Sequence, residues 1–209
     1  IAEMKQRSPS AGTIINGMNY NPVEIAKIYN NSKATCLSVL TEESYFKGNM
    51  IHIRMIKEEG IKLPILCKDF FVHKWQLYLA KSEGADAILI ILAGVGKKLA
   101  NELYEEALKL NLSVIVEVHT IEEAEYALRF KDALMGINNR NLKTLKTDVN
   151  TTYDINNALR NYSGLMICES GIKTKEQLIE INFKTKIKTF LIGESLLKNL
   201  HKNSIFSVL

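Results

Sequence analysis

Proline, glycine and cysteine are all sparse, at 3, 11 and 3 residues in a chain of 209, which excludes collagen-like, low-complexity and disulfide-scaffold architectures. The cysteines, Cys36, Cys67 and Cys168, lie far apart with no Cys-x-x-Cys pair, each in an apolar run that reads as a strand. They are expected to be buried free thiols in a reducing cytoplasm. His52, His73, His119 and His201 show no metal-ligand spacing, so no metal is expected. No stretch gathers five or six Lys/Arg or interleaves them with aromatics, and the net charge of +4 is small and scattered. That excludes nucleic acid as a partner and leaves a modest pull on a small anion. Apolar runs reach only about 5–7 residues where a membrane helix needs roughly 20, so no span is expected, and no signal peptide is recognisable. Gly94 and Gly96 lack a third glycine at the offset of a dinucleotide fingerprint, and no Walker-type loop occurs.

What is present is 46% hydrophobic and 24% charged, an ordinary globular composition sufficient for one core, read as a single domain over residues 1–209. Short β-rich apolar runs alternate throughout with helix-period segments, the pattern of repeated βα units on a parallel sheet. Eight strands are expected near Ile1–Met4, Ala34–Leu40, Pro64–Cys67, Ala87–Leu92, Ser113–Val118, Leu134–Asn138, Leu165–Cys168 and Thr189–Ile192. Asn21 before Pro22 marks a helix start, and Thr120 with Glu123 and Thr174 with Gln177 have capping-box spacing. Leu99, Leu103, Ala107 and Leu110 lay one apolar stripe along an expected helix from Lys97 to Leu110. Periodicity does not separate a closed barrel from an open doubly wound sheet, but eight repeats in this length favour an α/β fold of (β/α)8 TIM-barrel type.

A barrel gathers its chemistry at the C-terminal ends of its strands. Glu3, Lys5, Ser8, Lys68, Glu117, Asn138, Arg140, Glu169, Ser170, Gly193 and Glu194 fall there. Glu3 and Lys5, two apart on the first strand, share a face directed into the barrel. Burial and mutual attraction shift their pKa values in opposite senses, and sequence leaves the balance open. Glu117 interrupts the run VIVEV; an acid there is costly unless paired or used, so it is either functional or half of a buried ion pair. Gly193 before Glu194 and Ser195, and Gly171 after Ser170, are places where backbone amides and a helix dipole can face an anion.

The segments IAEMKQRSPSAGTI, SVLTEESYFKGN, LPILCKDFFV, VIVEVHT, MGINNRNL, CESGI and FLIGESLLK run in order along nearly the whole chain and resemble the motifs of indole-3-glycerol phosphate synthases. The resemblance implies a catalytic cluster of Glu3, Lys5, Lys68, Glu117, Asn138 and Glu169. Lys68 corresponds to the acid that protonates the substrate ketone, Glu117 to an acid/base residue, and Glu3 and Lys5 to a pair acting in dehydration and binding. Ser8, Gly171, Gly193, Glu194 and Ser195 match phosphate-binding positions. Arg140 and Ser170, with Asn138, match the polar wall near the anthranilate end. Pro9, Phe46, Phe70, Leu89 and Ile192 match the apolar surface against the aromatic ring; without the resemblance Phe46 and Phe70 would read as core. The implied substrate is a small anionic phosphorylated aromatic, 1-(2-carboxyphenylamino)-1-deoxyribulose 5-phosphate, and the implied chemistry needs no cofactor. Fusion to or association with other tryptophan-pathway enzymes is a further expectation. The family carries helical residues ahead of the first strand, whereas this sequence opens at Ile1 in a strand-like run, so an upstream piece is expected to be missing.

Two other readings stand beside this one. Another phosphate-binding barrel, such as a phosphoribosylanthranilate isomerase or a tryptophan synthase α subunit, would account for the glycine-rich ends but not for Lys68, Glu117 and E-x-K-x-x-SPS together. A catalytically silent scaffold barrel has no need of four ionisable groups, Glu3, Lys5, Lys68 and Glu117, at one mouth.

Overall fold

The structure, a computed structural model, describes residues 1–200; His201 and the last part of the expected domain lie outside the described residues. Eight parallel strands form one sheet in chain order: β1 (Ala2–Met4), β2 (Leu37–Leu40), β3 (Ile65–Lys68), β4 (Ala87–Ile91), β5 (Ser113–Val118), β6 (Leu134–Asn138), β7 (Met166–Glu169) and β8 (Thr189–Leu191). The sheet closes on itself through a parallel bridge from Ala2 to Ile192 and the Glu3 N–H donating to the Ile192 carbonyl at 2.8 Å. The fold is therefore a (β/α)8 barrel. Among the described residues, eight α-helices alternate with the strands: α1 (Pro22–Asn31), α2 (Ile51–Glu58), α3 (Trp75–Ser82), α4 (Leu92–Lys109), α5 (Ile121–Ala127), α6 (Asn150–Ala158), α7 (Lys175–Thr185) and α8 (Glu194–Lys198). No described helix is long and apolar enough to cross a membrane.

Period-2 alternation gives the barrel its interior. Leu66, Leu89, Ile115, Ile167 and Leu191 form a buried apolar cluster of their own, separate from the larger core beneath the helices. Two residues further along the same strands, on the same face, come Lys68, Glu117 and Glu169. The apolar layer is thus a floor, and the ionisable groups form the layer above it.

Several local expectations are corrected. Cys67 and Cys168 are buried in strands, but Cys36 is only half-buried and precedes β2, because the chain becomes extended only once it pairs with β1 at Leu37. The helix expected from Lys97 is present and runs to Lys109, set off by a kink at Gly96, whose φ of 70° is non-helical, from a short helical stretch that opens α4 at Leu92. Thr120 caps α5 by accepting the Glu123 N–H, but the Glu123 carboxylate reaches the His119 N–H at 2.7 Å instead of forming the expected box. At α7 the box of Thr174 and Gln177 is complete. Asn21 caps α1 as expected, accepting from the Val23 and Glu24 N–H groups.

Candidate active site

A cavity of about 1080 Å³ opens at the C-terminal ends of the strands. Every site residue named from the sequence borders it, from Glu3, Lys5, Ser8 and Pro9 to Ile192, Gly193, Glu194 and Ser195. Phe46 and Phe70 line it as well, with ring centroids 6.3 Å apart, and Phe70 is 45% exposed. Neither aromatic is core, because both sit in loops after β2 and β3 that rise above the barrel floor.

The deepest charges form one network. Lys68 Nζ lies 3.3 Å from Glu117 Oε2 and 3.2 Å from Glu169 Oε2, although these residues are far apart in sequence. Asn138 Nδ2 donates to Glu117 Oε1 at 3.0 Å, and its own Oδ1 accepts the Arg140 N–H at 3.0 Å. Glu3 accepts from Lys5 at 2.5 Å, as their shared face predicts. Burial opposes the ammonium form of Lys68, yet Glu169, Glu117 and Glu3 outweigh it and hold its pKa above the usual lysine range. Burial would likewise raise Glu117, but Lys68, His119 and Asn138 hold it down to about 2. For Glu169 burial dominates; Lys68 opposes it, the Glu117 charge reinforces it, and the carboxyl is raised to about 7. Two like carboxylates sharing one ammonium are pushed apart in this way. The result is a charged acid, a charged base and a carboxyl poised near neutrality.

Glycines make room for this layer. A Cβ on Gly136, which faces Glu117 across the β5–β6 ladder, would collide with the Glu169 carboxylate and stand 3.0 Å from Ile115 Cγ2. Gly136→Ala is therefore expected to displace Glu169 and lower kcat on the order of 10²-fold, with a loss of about 1–3 kcal/mol of stability from overpacking. Parallel kinetics and thermal melts check it, and an unchanged kcat would mean that the placement of Glu169 is immaterial. On the rim, Gly171 has a φ of 83°, and the Ser195 hydroxyl donates to the Ile172 carbonyl at 2.7 Å, tying the turn after β7 to α8. Arg140 borders the cavity as well, donating to the Leu145 carbonyl at 3.0 Å.

Sequence reasoning missed three supporting groups. Glu42 accepts the N–H groups of Ser44, Tyr45 and Phe46 at 2.8, 2.7 and 3.1 Å, folding the loop that carries Phe46. Asp69 accepts from the Thr41 hydroxyl at 2.5 Å, fastening the end of β3 beside β2 just past Lys68. His119 stands behind Glu117. An acid followed at two to four residues by loop amides was a legible signal for Glu42; the other two depend on neighbouring elements. Among the described residues, no three His, Cys, Asp or Glu side chains are grouped to hold a metal ion.

A closed barrel with ionisable groups on its strand ends, and glycine turns after its last two strands, defines an enzyme of the (β/α)8 class. Within that class the chain belongs to the indole-3-glycerol phosphate synthase family, enzymes of tryptophan synthesis, whose model matches residues 1–207. It is 42% identical over 200 residues to indole-3-glycerol phosphate synthase of Aquifex aeolicus, covering 95% of this chain and 76% of that one. It is 40% identical over 205 residues to tryptophan biosynthesis protein TrpCF of Buchnera aphidicola, covering 97% of this chain and 44% of that one. Among solved structures, 3-keto-L-gulonate-6-phosphate decarboxylase from Vibrio cholerae matches with a TM-score of 0.69 over 99% of this chain and 91% of that one. At 14% identity that likeness concerns the fold alone.

Proposed function

We propose that residues 1–209 act as one catalytic domain, a carboxy-lyase that converts 1-(2-carboxyphenylamino)-1-deoxyribulose 5-phosphate to indole-3-glycerol phosphate. The observation that carries this reading is Lys68 held between Glu117 and Glu169 just above the apolar barrel floor, at the base of an aromatic-walled cavity. The Lys68 ammonium donates its proton to the ketone oxygen as the ring carbon bearing the carboxylate attacks. Carbon dioxide then leaves and returns its bonding electrons to the ring. Dehydration follows, with Glu117 as the acid/base residue and the Glu3–Lys5 pair assisting, which completes the indole. None of these steps is a redox step, so no cofactor is called for.

Phosphate sits on the rim formed by Ser8, Gly171, Gly193, Glu194 and Ser195, with Lys5 adding charge. Arg140, Asn138 and Ser170 face the anthranilate carboxylate, where a planar guanidinium is suited to pair. Pro9, Phe46, Phe70, Leu89 and Ile192 flank the ring. A cytoplasmic location and association with other tryptophan-pathway enzymes complete the proposal.

Formation of indole-3-glycerol phosphate, followed by its fluorescence, tests the reading; a folded chain that forms none overturns it. A Schiff-base role for Lys68 needs a lowered pKa, the opposite of what its carboxylates impose. Borohydride with substrate is therefore expected to trap no adduct on Lys68, and a trapped adduct would replace acid catalysis by imine chemistry.

A further inference from the structure

β5 ends at Val118, and the alternation that turns Glu117 into the barrel brings His119 back to the same side one step higher. The imidazole is nearly covered, with 11% of its side chain exposed, and it does not border the cavity. Its Nε2 lies 3.3 Å from Glu117 Oε1 and its Nδ1 3.5 Å from Glu123 Oε2. Neither nitrogen has an aligned hydrogen bond, so the coupling is one of charge. Only the protonated ring offers an N–H on both sides, and a carboxylate on each side favours that form. Glu123 is fixed in turn by the first turn of α5: its own N–H donates to the Thr120 hydroxyl at 3.2 Å, and its carboxylate accepts the His119 N–H at 2.7 Å.

We propose that His119 is a positioning residue for the reaction: a buried imidazolium, anchored by Glu123, that keeps Glu117 ionised and aimed at Lys68. This inference rests on the reading of Glu117 as the acid/base residue. Glu117 faces Lys68 from β3, Asn138 from β6, Glu169 from β7 and His119 from its own strand end; Glu3 from β1 acts on Lys68 and Glu169. His119 faces Glu117 and Glu123. Without His119, the layer above the floor holds Glu3, Glu117 and Glu169 against two lysines, and a proton settles on the pair Glu117 and Glu169 at higher pH. Burial alone would lower the histidine pKa, but the Glu117 and Glu123 carboxylates beside it outweigh burial and raise it, in keeping with a ring that stays charged at neutral pH.

The test compares the full chain with His119→Leu and His119→Gln. Glutamate side-chain carboxyls are labelled with carbon-13, and the Glu117 signal is identified by its loss in Glu117→Gln. The Leu variant is expected to raise the Glu117 titration midpoint by about one pH unit or more and to lower kcat roughly tenfold with KM little changed. The Gln variant, which keeps a donor but no charge, is expected to leave the midpoint raised and kcat lowered as in the Leu variant. A folded Leu variant with an unmoved Glu117 midpoint overturns the proposal, as does a loss confined to KM or to melting temperature. If the midpoint moves but the wild-type chain makes no product, the synthase reading fails while the electrostatic role of His119 stands.

Discussion

Replacing Lys68 with methionine is expected to lower kcat by about 10²–10⁴-fold, the range for losing a positioned general acid. Methionine keeps much of the side chain's length and apolar contact, so the floor beneath it, Leu66, Leu89 and Ile115, stays covered. What disappears is the ammonium between Glu117 and Glu169. Both carboxylates then face each other in a buried site with no cation between them, at a cost on the order of 3–5 kcal/mol. That cost depends on pH with a definite sign. Loss of the cation raises the folded-state pKa of both carboxyls, so the folded chain takes up protons that the unfolded chain does not. The stability deficit of Lys68→Met is therefore largest at alkaline pH and shrinks as the pH falls toward 5. Melting temperatures of wild type and variant across that range, with kcat at each pH, check both parts; a variant retaining more than a tenth of wild-type kcat would remove Lys68 from the chemistry.

Glu117→Gln is expected to reduce kcat comparably, about 10²-fold or more, because the amide keeps the shape and the Asn138 neighbourhood but cannot take a proton. Its second effect appears on Glu169. In the wild type, burial raises Glu169, against Lys68 and with the help of the Glu117 charge, to about 7. A carboxyl raised in the folded state contributes stability that is fully present below its unfolded value, near 4.5, and lost as pH rises through about 7. Between those limits the folded chain holds a proton on Glu169 that the unfolded chain does not, so this carboxyl tilts stability downward with rising pH. Removing the Glu117 charge brings the Glu169 pKa down and narrows that window. The slope of melting temperature against pH between about 4.5 and 7 is expected to be shallower in Glu117→Gln than in wild type. An unchanged slope would show that Glu117 does not hold Glu169 up, and that burial alone does.

The sequence by itself determined the local order: eight apolar strands separated by helices, the face each inward residue takes, and the position of Glu3, Lys5, Lys68, Glu117, Asn138 and Glu169 at strand ends. These follow from alternation with period 2 and from capping and turn chemistry, which act over a few residues. The bounds of β5 and β6 matched, whereas the other strands missed by one to three residues, as at β2, because pairing with a neighbour decides where extension begins. Closure between Ala2 and Ile192, the sharing of Lys68 by Glu117 and Glu169, and the space Gly136 leaves for Glu169 were decided only by the tertiary structure. Each depends on how strands and helices register around the closed barrel. That register is set by packing of the whole core, so no short stretch of the chain encodes that Lys68 meets Glu117 and Glu169.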